Sequence, residues 1–156
     1  MAILTVALLL GLLLATDGVC KTAAQKYFPS EWSAYGIRKF KFFETKLTWA
    51  DAEAECLKHG GNLASIHGSE ENAFILNLIK KGAGSILRTW IGGHDTVKEG
   101  RWFWSDGSKM NFQNWGKNEP NNHLLGEDCL EIIYGDDLKW NDIPCSSTRS
   151  FVCART

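Results

Sequence analysis

The sequence EPNNHLLGEDCLEIIYGDDLKWND occupies residues 119–142 and contains two polar clusters separated by an apolar run. The first cluster covers residues 119–128, and the second is Asn141-Asp142. Between them, residues 129–134 are typical of a β-strand, and Gly135-Asp136-Asp137 is typical of a hairpin turn. A hairpin at this position would fold the second polar cluster back beside the first.

The two clusters together offer a set of carboxylate and amide oxygens. Hard oxygen donors suit Ca²⁺, which takes about six to eight of them, whereas Zn²⁺ prefers cysteine and histidine. Crowded carboxylates also repel one another unless a cation lies between them. The sequence therefore predicts a main Ca²⁺ site whose ligands are Glu119, Asn121, Glu127, Asn141 and Asp142.

Pro120 separates two of these predicted ligands. A cis peptide bond before Pro120 would direct the side chains of Glu119 and Asn121 to one side. Only about 5–6% of X-Pro bonds are cis, so the alternative is a trans proline in a solvated acidic loop. The second polar cluster favours the metal-site interpretation, because the predicted hairpin carries it toward the same loop.

Five short motifs along the chain belong together. They are Trp90-Ile91-Gly92, Glu119-Pro120-Asn121, Gly126-Glu127-Asp128-Cys129, Trp140-Asn141-Asp142 and Phe151-Val152-Cys153. Through these motifs the chain resembles the C-type lectin domain family over residues 27–154. The resemblance implies an α+β, C-type lectin-like fold, with two helices, antiparallel sheets and a long loop region. In that family a Glu-Pro-Asn triplet accompanies mannose-type sugars, and a Gln-Pro-Asp triplet accompanies galactose-type sugars.

The same resemblance implies an auxiliary Ca²⁺ site beside the main one. Asn122 replaces an acid of the family, and this should weaken the site because ligand charge tunes affinity. Solvated acids without a metal are the alternative. The implied ligands of this auxiliary site are Asp95, Glu99, Asn122 and Asp128, with Glu127 shared between the two ions.

The implied carbohydrate-binding set consists of the five main-site residues, with His123 and Ile143 beside the sugar. A solvated loop histidine is the alternative for His123.

The N-terminus indicates secretion. The apolar run from Ile3 to Leu14 is shorter than the roughly 20 residues that span a bilayer, and it is typical of a signal peptide over residues 1–20. Small residues allow cleavage after Gly18 or after Cys20. No second apolar run follows, so we expect a secreted, extracellular protein without a membrane anchor.

The chain has five cysteines, and extracellular proteins form disulfides. The four after Cys20 allow three pairings. The resemblance implies Cys56–Cys153 and Cys129–Cys145. We expect Cys20 to leave with the signal peptide; if retained, it could link two copies into a homo-oligomer.

Two helices are predicted early in the chain and strands later. Two short strands are expected in residues 28–43 and another in residues 62–66. The first helix is capped by Thr48, and its apolar face comprises Trp49, Ala52, Cys56 and Leu57. The second is capped by Ser69 and ends before Gly82, and its apolar face comprises Phe74, Ile75, Leu78 and Ile79. A core strand follows at Trp90, and the aromatics of the long loop, Trp102, Phe103, Trp104 and Phe112, are expected to form a small core beneath it.

The resulting prediction is a secreted, Ca²⁺-dependent lectin for mannose, fucose or N-acetylglucosamine, with recognition of microbial glycans in innate immunity implied by the resemblance. The alternatives are ice binding, as in type II antifreeze proteins, and a protein-binding module such as a toxin or receptor ligand. Enzymatic activity is not expected, because metal-bound Glu119 and Glu127 could not act as a glycosidase acid. A net charge of −1 provides no basic surface for nucleic acid.

Overall fold

The computed structural model describes residues 31–134 and 136–156, without the side chains of Leu125, Ile133 and Tyr134. The predictions for the signal peptide, for Cys20 and for strand residues before position 31 lie outside the described residues. Within them, no helix is both long and apolar enough to cross a membrane.

The described residues form one sheet with two helices packed against it. The elements are β1 (Ser33–Tyr35), β2 (Arg38–Leu47), α1 (Trp49–Lys58), β3 (Asn62–Leu63), α2 (Ser69–Ala83), β4 (Thr89–His94), β5 (Phe103–Trp104), a 3₁₀ turn (His123–Leu125), β6 (Cys129–Tyr134), β7 (Lys139–Ile143) and β8 (Arg149–Arg155). The strand order is β1-β2-β8-β4-β6-β7, with β3 added to β8 and β5 to β4. The pairing of β4 with β8 is parallel, whereas the other strand pairings are antiparallel as predicted.

Helix α1 begins as its sequence predicts. The Thr48 side chain accepts a hydrogen bond from the backbone N–H of Asp51 at 3.3 Å, which satisfies one of the free donors of the first turn. Ala52 and Cys56 are buried. The prediction for Leu57 is wrong: its side chain is 58% exposed, because it follows Cys56 directly and so lies off the buried stripe.

Helix α2 differs from its prediction at both ends. Its N-cap is Gly68 rather than Ser69, and the carboxylate of Glu71 instead accepts the backbone N–H of His67 at 2.7 Å. The helix continues through Gly82 to Ala83. A Cβ atom at Gly82 would lie 2.5 Å from a ring carbon of Phe42, so this glycine allows close packing of the helix on β2 instead of ending it.

Both disulfides implied by the family resemblance are confirmed. Cys56–Cys153 joins α1 to β8 across a sequence separation of 97 residues. Cys129–Cys145 joins β6 to the segment after β7 across 16 residues. In the chain-entropy model such loops contribute about 4.7 and about 3 kcal/mol, and the shorter loop encloses the β6–β7 hairpin.

An aromatic cluster supports the long loops. The rings of Trp104, Phe112 and Trp115 each meet the ring of Trp140 edge to face, with centroids 5.6–5.9 Å apart. Trp140 is fully buried, whereas Phe103 is 41% exposed, so the prediction of an aromatic core holds for Trp104 and Phe112 but not for Phe103. Because Trp140 directly precedes Asn141, this cluster fixes the strand that carries the second polar cluster.

Candidate metal centre

The loop at residues 119–122 and strand β7 meet through one buried carboxylate. The peptide bond between Glu119 and Pro120 is cis. The backbone N–H groups of Asn121 and Asn122 donate to the two carboxylate oxygens of Asp142, at 3.0 and 2.7 Å. Asp142 is fully buried. The predicted hairpin of β6 and β7 thus brings Asp142 to the loop.

Glu119 lies in a site of accumulated negative charge. One of its carboxylate oxygens is buried and has no hydrogen-bond partner among the described residues. Burial, together with a hydrogen bond to Asp142 and the charges of Asp142 and Glu127, raises the pKa of Glu119 to about 7, and a hydrogen bond with Asn121 offsets this in part. The ionised form of Glu119 therefore lacks compensation from the protein alone.

The turn from residue 122 to 127 orients Glu127. Its backbone N–H donates to the side-chain oxygen of Asn122 at 3.0 Å, and its carboxylate accepts the backbone N–H of His123 at 2.9 Å. Asn122 has a left-handed backbone, with φ of 43°. Glu127 is thereby held close enough to Glu119 for its charge to raise the pKa of that residue.

A second acidic cluster adjoins the first. Asp95, Glu99 and Asp128 each place a carboxylate oxygen within 4.8 Å of the others. Asp95 is 2% exposed, and one of its oxygens has no partner among the described residues. Burial and the neighbouring charges of Asp128 and Asp142 raise the pKa of Asp95. The side-chain amide of Asn122 donates to Glu99 and so bridges the two clusters.

These donors fit a hard divalent cation. Each cluster contains a buried carboxylate oxygen that lacks a hydrogen-bond partner among the described residues, and an unpaired buried charge is costly. The side chains that converge here offer oxygen atoms, which are the ligands that Ca²⁺ prefers. A cation between the carboxylates would remove the repulsion that raises their pKa values.

Asn141 makes a different contact from its neighbour Asp142. Its side-chain N–H donates to an oxygen of Glu131 at 3.2 Å, and Asn141 is largely buried. Of the two residues predicted beside the sugar, His123 is exposed and Ile143 is 6% exposed. The structure therefore joins Asn121 to Asp142 through the backbone N–H of Asn121, places Glu119 within reach of the charges of Asp142 and Glu127, and links Asn141 to Glu131.

Glu131 was not identified from the sequence. It is fully buried and forms ion pairs with Arg149 at 2.7 Å and with Arg88 at 3.3 Å. Glu131 lies opposite Asn141 in the β6–β7 register. That cross-strand position, which follows from the predicted hairpin, is the signal that could have identified it.

Comparisons with known proteins agree on one family. A family model described as "Lectin C-type domain" matches residues 45–155. The chain is 49% identical over 127 residues to the "Galactose-specific lectin nattectin" of Thalassophryne nattereri, and the match covers 81% of this chain and 79% of that protein.

Solved structures show the same fold in proteins with different named properties. The herring type II antifreeze protein is 38% identical with a TM-score of 0.75, over 81% of this chain and 97% of that chain. The C-type lectin CEL-I from Cucumaria echinata is 29% identical with a TM-score of 0.77, over 82% of this chain and 96% of that chain. The likeness therefore includes a C-type lectin and a type II antifreeze protein.

Proposed function

The chain belongs to the C-type lectin domain family, and from this premise we propose that it is a secreted, Ca²⁺-dependent lectin with mannose-type specificity. One observation carries the proposal. The Glu119–Asn122 loop is bound to the buried Asp142 of β7 through two backbone N–H groups, beside an oxygen of Glu119 that has no partner among the described residues.

The proposed main Ca²⁺ site uses Glu119, Asn121, Glu127, Asn141 and Asp142. Bound Ca²⁺ supplies open coordination positions for two vicinal hydroxyls of a sugar. Around those hydroxyls, the carboxylates accept hydrogen bonds and the asparagine amides donate them. Such charge-assisted bonds are the stronger kind, so the order of acid and amide around the sugar determines which hydroxyl arrangement fits.

The mannose-type specificity is supported by the triplet Glu119-Pro120-Asn121. The relative nattectin, a galactose-specific lectin, is 49% identical to this chain over the aligned residues, so about half of the aligned positions differ between the two proteins. We therefore propose mannose, fucose or N-acetylglucosamine as the ligand class, recognised on microbial glycans.

The auxiliary Ca²⁺ site is proposed at Asp95, Glu99, Asn122 and Asp128. Its support is the oxygen of Asp95 that is buried without a partner among the described residues and the close approach of the three carboxylates. Asn122 carries no charge where the family has an acid, and its side-chain oxygen already accepts the backbone N–H of Glu127, so we expect this site to bind Ca²⁺ more weakly than the main site.

A single shallow sugar site binds weakly, with a dissociation constant on the order of 1 mM, or about 4 kcal/mol. Useful avidity would require several copies held together. A homo-oligomer is therefore part of the proposal, formed through the domain surface or through Cys20 if that residue is retained.

A glycan array probed with and without Ca²⁺ tests the proposed function. We expect mannose, fucose or N-acetylglucosamine glycans to be bound in Ca²⁺ and released by EDTA. Binding of the same glycans in excess EDTA would contradict the proposal.

Ice binding is the second candidate, because the herring antifreeze protein is 38% identical and has the same fold. Thermal hysteresis in a freezing-point assay, together with no retention on any sugar, would favour this candidate.

Lowering the pH from 8 to 6 is expected to weaken Ca²⁺ binding about tenfold, because Glu119 must lose its proton to hold the ion. The pKa of Glu119 is raised to about 7, so protons already compete with Ca²⁺ near neutrality. Calorimetric titration with Ca²⁺ at the two pH values measures the effect. Equal affinity at both would show that Glu119 does not hold the ion.

The raised pKa of Glu119 also affects the folding stability of the Ca²⁺-free protein, where a lower pH is favourable. A raised pKa means that the folded state binds the proton more tightly than the unfolded chain, so stability falls as pH rises from about 4.5 to about 7. The Ca²⁺-free protein should melt at a higher temperature at pH 5 than at pH 8. Glu119→Gln should reduce this difference, and an unchanged difference would assign it to other groups.

A further inference from the structure

Glu131 of β6 forms ion pairs with two partly exposed arginines and contacts a residue of the proposed site. Glu131 is fully buried, with one carboxylate oxygen 2.7 Å from Arg149 and the other 3.3 Å from Arg88. The latter oxygen also accepts the side-chain N–H of Asn141 at 3.2 Å. We propose that Glu131 is a positioning residue, which fixes the amide of Asn141 so that its oxygen is the end left for a cation; this inference rests on the proposed function.

The chemistry of the two groups determines the orientation of the amide. An ionised carboxylate only accepts hydrogen bonds, whereas the amide of asparagine has a donor end and an acceptor end. The end of Asn141 that faces Glu131 must therefore be the nitrogen. Rotating the amide by half a turn would place two acceptors against each other at a buried position, which is unfavourable.

Two arginines hold the carboxylate of Glu131 in place. Arg149 lies on β8 and Arg88 directly precedes β4, and each donates to a different carboxylate oxygen of Glu131. The guanidinium of Arg149 also donates to the backbone oxygen of Thr148 at 3.0 Å, which restricts its own movement. A rotated Glu131 side chain would lose these ion pairs.

The register of the hairpin connects this contact to the candidate metal centre. Glu131 lies opposite Asn141, and Leu130 lies opposite Asp142. Asp142 is the residue that binds the backbone of the 121–122 loop. One strand therefore carries Asp142, which is held by the loop, and Asn141, which is held by Glu131. Outer residues that orient metal ligands are typically worth about 10-fold to 100-fold in metal affinity.

The decisive measurement is Ca²⁺ affinity by calorimetry in two backgrounds. Glu131→Gln, and the charge-preserving Glu131→Asp, which is too short to keep the same contact, should each raise the Ca²⁺ dissociation constant about 10-fold to 100-fold. In an Asn141→Ala background, Glu131→Asp should change the Ca²⁺ dissociation constant by less than about twofold, because the hydrogen bond between Asn141 and Glu131 has already been removed. Glu44→Gln, at an exposed position on β2, is the charge-matched control and should leave the affinity unchanged.

Two outcomes overturn the inference. One is unchanged Ca²⁺ affinity in both Glu131 variants, and the other is an equally large loss with and without Asn141, which would indicate long-range charge only. Absence of Ca²⁺ binding in the unmodified protein would instead refute the proposed function.

A measurement on the unmodified, Ca²⁺-free protein does not depend on variants that fold. The side-chain NH₂ of Asn141 should exchange its hydrogens with solvent at least tenfold more slowly than that of Asn118, which is exposed. Equal exchange rates would show that Glu131 does not hold Asn141.

Discussion

Asp142→Asn is expected to raise the Ca²⁺ dissociation constant by more than about 100-fold and to abolish Ca²⁺-dependent sugar binding. Outer residues already contribute about 10-fold to 100-fold, and Asp142 is proposed as a direct ligand. It is also the residue that accepts the backbone N–H groups of Asn121 and Asn122. An asparagine at position 142 has a single acceptor oxygen, so one of these bonds is lost together with the charge.

Calorimetric Ca²⁺ titration and retention on immobilised mannose measure both effects. Asp136→Asn is the matched control, because it makes the same change of charge at an exposed position in the turn of the hairpin. In the Ca²⁺-free protein, Asp142→Asn should also lower the pKa of Glu119 toward its ordinary value, since Asp142 contributes to raising that pKa. Normal Ca²⁺ affinity in Asp142→Asn would exclude Asp142 as a ligand.

Exchanging acid and amide across Pro120 is expected to reverse sugar preference. The double variant Glu119→Gln, Asn121→Asp keeps one carboxylate and one amide in the loop, and only their order changes. Each hydroxyl that met an acceptor would then meet a donor, so hydroxyls arranged as in mannose no longer fit. We expect the ratio of mannose to galactose affinity to fall at least tenfold, which corresponds to about 1.4 kcal/mol.

Competition with free mannose and free galactose on both sugar resins measures this ratio. The single variants are the controls, because each changes the net charge of the site while the double variant preserves it. Glu119→Gln alone should therefore lose Ca²⁺ affinity, and the double variant should recover it because Asn121→Asp restores the missing charge. Unchanged selectivity in a double variant that still binds Ca²⁺ would show that the triplet does not read the sugar.

The sequence correctly predicted those helix and hairpin boundaries that depend only on residues close by in the chain. Thr48 caps α1 as predicted because its hydroxyl reaches a donor three residues away. The β6–β7 hairpin also forms where the sequence predicts it, because the apolar strand and the polar turn are neighbours in the sequence. Gly82 shows the limit of such signals, since its role depends on the ring of Phe42, far away in the sequence. A glycine that allows close packing and a glycine that ends a helix look alike in sequence.

The candidate site was predictable to a similar degree. The oxygen-rich residues and the hairpin that folds them back could be identified from their types and order. The contacts that orient them could not, because Glu131 is paired with Arg149 from β8 and with Arg88 from the segment before β4. A single acid within a strand reads as solvent-exposed, and only the packed sheet shows that it is buried. Leu57 was wrongly placed in the core for a different reason, because it follows Cys56 directly and so lies off the buried stripe of α1.

The most direct test of the whole account is a calorimetric titration of the purified protein with methyl α-mannoside, in Ca²⁺ and again after EDTA. Binding in the millimolar range that disappears with EDTA and returns when Ca²⁺ is restored is the result that convergence of the 119–122 loop and Asp142 on a cation predicts. Mannoside binding of equal strength in EDTA, or no binding in saturating Ca²⁺, would contradict it.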